Sequence, residues 1–137
     1  MIGRDAIARD LLIVACAVSA GIHAALAPSH LDDGAATAGG FAASAILLAL
    51  LAGALTRSAS TSMLAAASAV LAGLLLSYAL AVTSGVPILH PRPEPADGLG
   101  LFTKSVELVG LLSAIHLLRR RALSHRAALP RLKGILT

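Results

Sequence analysis

"LLIVACAVSAGIHAALA", residues 11–27, runs for seventeen positions without an Asp, Glu, Lys or Arg, and its reading decides the fold. At ~1.5 Å of rise per residue it reaches ~25 Å as a helix, most of a ~30 Å hydrocarbon core. Three further apolar blocks follow at 35–55, 63–82 and 99–118. The 137-residue chain is 57% hydrophobic and 13% charged, with a mean hydropathy of +0.84, and the four blocks use nearly all of it. The composition therefore predicts an integral membrane protein, an all-α four-helix transmembrane bundle forming a single domain over residues 1–137. Short connections favour up-down-up-down topology.

The first block has a competing reading as a cleaved leader, because "IVAC", residues 13–16, has the shape of a lipoprotein cleavage box. Only residues 11–15 precede Cys16 as an apolar run, shorter than the ~7 to 15 residues of a leader core, and Asp5 and Asp10 interrupt the basic segment before it. A retained first helix is expected. Cys16, the only cysteine, cannot form an internal disulfide and reads as a small packing residue.

Basic residues set the orientation. Arg4 and Arg9 precede block one, Arg57 lies between blocks two and three, and Arg119, Arg120, Arg121, Arg126, Arg131 and Lys133 follow block four. The positive-inside rule places all of these, and both termini, in the cytoplasm. The loops around Asp32 and Asp33 and around "HPRPEPADG", residues 90–98, then lie outside. Richness in Ala, Gly, Leu and Arg points to a GC-rich bacterial gene and a bacterial inner membrane.

Small residues recur every four positions, as Ala69, Gly73 and Ser77, Gly40 and Ser44, and Ala49 and Gly53, a spacing that lets helix backbones approach closely. The tail 119–137 reads as a short basic amphipathic helix up to the residue before Pro130, with Arg119, Arg120, Arg121 and Arg126 on anionic lipid headgroups. The pI of 10.2 follows from this bias, and without an aromatic platform it does not indicate nucleic-acid binding.

Chemistry is expected where polar groups enter the membrane against their solvation cost. Glu107 lies eight residues inside the outer end of block four, ~12 Å down, and His23 lies seven residues before His30, ~10 Å below it. Ser44, Ser77 and Tyr78 fall at a similar depth. Lys104 precedes Glu107 by three residues, a spacing that allows a pair on one helix face. His23, Ser44, Ser77, Tyr78, Lys104 and Glu107 thus form an expected polar layer. A helix continuing through Pro28 would put His23 and His30 on one face, with Pro28 free to kink it.

Three uses of this layer stay open: a structural ion pair, a proton or ion relay, and a metal ion or haem site drawing on His23, His30, Asp33 and Glu107. Asp32, His90, Glu94 and Asp97 would add ligands or proton carriers outside. A bis-histidine haem would pair His23 with His116, although His116 sits at the cytoplasmic end. The Pro-rich segment reads as a stiff extended connector. The chain has no Gly-rich phosphate loop, paired-cysteine site or nucleophile elbow.

The pattern of His23, His30-Leu31, Pro93-Glu94-Pro95, Gly98 and Glu107 resembles small four-helix membrane proteins of high-GC bacteria, broadly similar to the DoxX-like group. That resemblance implies an accessory component of a redox or thiol-stress system. Three functional classes follow: a redox- or metal-associated membrane component, a small proton-coupled transporter or channel subunit, and an accessory subunit of a larger complex or a homo-oligomer.

Overall fold

The structure, a computed structural model, describes residues 3–86 and 93–133, with side chains through residue 124. It is all-helical: α1 (Arg4–Leu26), a 3₁₀ turn (Pro28–His30), α2 (Ala35–Arg57), α3 (Thr61–Thr83) and α4 (Gly98–Lys133). Each of the four helices is long and apolar enough to cross a membrane, which makes this a multi-pass membrane protein. The first three have 23 residues each, or ~35 Å.

Helix boundaries differ from the apolar blocks for a physical reason. Hydropathy marks only the part that needs lipid, whereas backbone hydrogen bonding carries α1 two turns back through Arg9 and Asp5 to Arg4. The tail is likewise not a separate short helix ending before Pro130. It is a continuation of α4, whose 36 residues run to Lys133. His90 and the rest of 87–92 lie outside the described residues, as do the side chain of Arg126 and residues 134–137. The described part of the Pro-rich segment is tied down where the Glu94 N–H donates to the Ala81 carbonyl at 3.0 Å.

At Pro28 the helix stops instead of kinking and continuing. Ser29 Oγ donates to the Leu26 carbonyl at 2.8 Å, satisfying one of the carbonyls left open where α1 ends. The chain then enters α2 through Gly34, whose φ of +120° is a conformation that L side chains rarely adopt.

Packing is unequal around the bundle. α1 lies against α2 and α4, α4 also lies against α3, and α2 meets α3 only slightly. Contacts between α1 and α4 fall in reverse order along the chain, Asp5 with His116 and Ser19 with Glu107, so these two helices are antiparallel. The core is Leu12, Cys16, Leu48, Leu55, Leu64, Leu71 and Ala114, all fully or nearly fully buried. α3 contributes Leu64, Ala67 and Leu71 to it, and none of its residues beyond Leu71 is buried as a whole.

The expected close approaches are not where the small-residue stripes put them. A Cβ added at Gly40, Gly53 or Gly73 would meet nothing within 4 Å. The tight contact is at Gly110 on α4, where a Cβ would lie 2.8 Å from Ala15 Cβ and 3.1 Å from Leu71 Cδ1. Spacing shows that small residues share a helix face, but a neighbouring backbone must be present before that face packs closely.

Candidate functional site: a buried polar network between α1 and α4

Glu107 is fully buried, and its two carboxylate oxygens have separate partners. Lys104 Nζ donates to Oε2 at 2.7 Å from the preceding turn of α4. Ser19 Oγ donates to Oε1 at 2.7 Å from α1. A carboxylate inside a membrane span is tolerable only when paired and hydrogen-bonded, and here an ammonium and a hydroxyl meet both needs. The Gly110 contact sets the separation, because α4 approaches α1 closely enough there for Ser19 to reach across one turn away.

His23 lies beside this pair with its own side chain buried. Its Nδ1 is 2.9 Å from the Ser19 carbonyl, which can only accept, so Nδ1 carries a proton. Nδ1 also lies 3.3 Å from Ser19 Oγ. Nε2 then faces Glu107 Oε1 at 3.9 Å, beyond hydrogen-bonding distance but close enough for an ion pair once Nε2 is protonated. One nitrogen is fixed and the other is free to take up or release a proton.

Between His23 and the end of the bundle stands Phe41 of α2. Its ring centroid is 5.5 Å from that of His23 and 4.2 Å from that of His30, which meets it edge-on. His30 Nδ1 in turn lies 3.5 Å from Asp33 Oδ2. The two histidines of the sequence reading therefore belong to one column, separated by an apolar ring and sharing no ligand position. Among the described residues, no three His, Cys, Asp or Glu side chains converge as a metal site.

Other members of the expected layer behave differently. Tyr78 enters it, with Lys104 Nζ 5.6 Å from its ring centroid, a cation over an aromatic face. Its hydroxyl is buried with no hydrogen-bond partner among the described residues and packs against Gly100, where a Cβ would come within 2.9 Å of it. Ser44 and Ser77 do not join. Their hydroxyls donate to the Gly40 and Gly73 carbonyls one turn back, both at 2.8 Å. His116 lies near the middle of α4, 3.3 Å from Asp5 in the first turn of α1 and so far along the bundle from His23. Arg119, Arg120 and Arg121 are exposed on α4.

Ser19 is the member that sequence reading missed. A serine in an apolar helix commonly bonds its own i−4 carbonyl and draws no attention. Its position one turn before His23, on the same face, was the available signal. No protein family, curated protein or solved structure matches the chain.

Proposed function

We propose that this chain is a small proton-responsive component of a bacterial inner membrane, with the Ser19–His23–Lys104–Glu107 network as its proton-binding site. One observation carries the reading. The Ser19 carbonyl fixes Nδ1 of His23 in its protonated form, leaving Nε2 at 3.9 Å from a buried carboxylate as the atom where a proton changes the interaction. Uptake there turns a lone pair facing an anion into a donor facing an acceptor. The groups facing His23 are Glu107 and Lys104 from α4, the Phe41 ring from α2 and, beyond that ring, His30; Tyr78 of α3 acts on it only through Lys104.

The proton arrives from the His30 end. His30 is partly exposed, whereas the other half of the bundle is closed by Leu12, Leu48, Leu55, Leu64 and Leu71. A buried site approached from one end, past the Phe41 ring, fits a proton-loaded sensor or subunit better than a complete transport path. Among the described residues no three His, Cys, Asp or Glu side chains converge, which favours this reading over a metal ion held by several side chains.

The test is ¹⁵N NMR of His23 in bilayers across the pH range in which the protein stays folded. The Nε2 signal is expected to move from its unprotonated to its protonated position on acidification, together with the Glu107 carboxylate vibration, and Glu107→Gln, which removes that carboxylate, is expected to change the pH at which the Nε2 signal moves. A His23 signal that stays in one form throughout overturns the reading.

In the same proposal the topology is up-down-up-down with both termini cytoplasmic, supported by the placement of Arg4, Arg9, Arg57 and Arg119 to Arg121. The basic tail rests on anionic headgroups. Single cysteines at positions 29, 58 and 124 on a Cys16→Ala background are expected to react with an impermeant thiol reagent from outside only at 29. Labelling of 58 or 124 in sealed cells reverses the orientation.

A further inference from the structure

The end of the bundle away from His30 holds a cavity of about 510 Å³, where α1 and α3 begin and α2 ends. Arg9, Arg57, Arg120 and Arg121 line it together with a single acidic residue, Asp5. Asp5 is already engaged, with Oδ1 3.3 Å from His116 Nε2 and 3.6 Å from Arg120 Nε. Arg9 lies 3.5 Å from Asp10. Among the described residues, Arg57 and Arg121 have no acidic partner. The turn between α2 and α3 also borders the cavity through Ser58 and Ala59, so the negative end of the α2 dipole and the positive end of the α3 dipole meet there and offset each other, leaving the arginines to set the field.

Cations held around one opening repel one another, and an anion with several acceptor oxygens relieves that repulsion. Phosphate esters match guanidinium forks in geometry as well as charge. The cavity is far larger than a lone phosphate, and Leu64 and Leu117 form part of its wall. Charged and apolar walls at the boundary of the spans fit an amphiphile.

We propose that this cavity is a discrete phosphate-ester site whose occupant is the headgroup of an acidic phospholipid. It is distinct from the diffuse attraction of the tail for a charged surface, since Arg9 and Arg57 belong to α1 and α2. The site is at the other end of the bundle from His23 and does not depend on the proton reading.

The experiment places the full chain in phosphatidylcholine bilayer discs, adds phosphatidylglycerol, and counts retained lipid by native mass spectrometry. One saturable phosphatidylglycerol per chain is expected. Arg57→Gln and Arg121→Gln should each weaken it about tenfold, as for loss of a charge-assisted hydrogen bond. Arg4→Gln removes the same charge from α1 outside the cavity wall and should change it less than about twofold by the same reasoning. A parallel arm uses inorganic phosphate and glycerol phosphate: saturable binding there without lipid retention keeps the phosphate site and assigns it a soluble occupant. Equal weakening by all three substitutions, or no saturable binding of either probe, overturns the proposal. Circular dichroism confirms that each variant is folded.

Discussion

Glu107→Leu is expected to lower unfolding stability by about 3 kcal/mol, the lower end of the range for breaking a buried ion pair by removing one partner. The substitution removes the acceptor that holds Lys104 Nζ at 2.7 Å, and it leaves an ammonium whose side chain is only 15% exposed inside a membrane span. It also strands the Ser19 hydroxyl, which loses its acceptor at 2.7 Å. Partial exposure of Lys104, and the partners it can find in a membrane-inserted unfolded state, keep the figure from the top of the range. Glu107→Gln should cost less, because the amide oxygen still accepts from Ser19. The decisive variant is Lys104→Leu with Glu107→Leu, which removes both charges and should recover most of the loss. Equilibrium unfolding in mixed micelles, read as a double-mutant cycle, measures the coupling. A double variant whose loss equals the sum of the Glu107→Leu and Lys104→Leu losses would show that the two charges are not coupled.

Gly110→Ala should destabilise the bundle by about 1 to 3 kcal/mol, the usual cost of overpacking, although alanine is the better helix former by about 1 kcal/mol. The added methyl would sit 2.8 Å from Ala15 Cβ and 3.1 Å from Leu71 Cδ1. Leu71 can rotate away, but Ala15 Cβ is fixed to its backbone, so α1 and α4 must separate. Separation also lengthens the reach from Ser19 to Glu107, and the vibrational signature of the carboxylate should change in the same variant. Ala15→Gly in the same chain should restore both stability and signature. Gly73→Ala is the control: nothing lies within 4 Å of its added methyl, so it should be neutral or slightly stabilising. If Gly110→Ala matches Gly73→Ala in thermal unfolding, the close contact does not limit the packing.

Sequence reading did best where one coordinate was enough. Depth along a helix follows from counting residues, and it brought His23, Glu107 and Tyr78 to one level, with Lys104 added by its three-residue spacing from Glu107; in the structure Lys104 meets both Glu107 and Tyr78, and His23 faces Glu107. Depth does not give azimuth. Ser44 and Ser77 share the level but bond their own backbones. Ser19 is below His23 in the count yet faces Glu107, because the approach of α4 to α1 is fixed by Gly110, a residue with no side chain to suggest a role. The four spans were legible because lipid demands long apolar runs. Their ends were not, because Arg4 to Asp10 can be helical in the interfacial region without being apolar. The continuity of α4 past Ser124 was hidden by the polarity of the tail for the same reason.

The one-sided anchoring of α3 has a consequence for the solvent around the network. Leu64, Ala67 and Leu71 hold its first half, while Leu76 and Leu80 beyond them are 61% and 45% exposed. In a bilayer those leucines meet acyl chains, so lipid completes the wall on the α3 side of Tyr78 and Lys104. The polarisability and order of that wall then belong to the membrane and vary with chain length, unsaturation and lateral pressure. A micelle and a stiff bilayer would give the same carboxylate two different surroundings, and the membrane's physical state becomes one of the variables to which Glu107 responds.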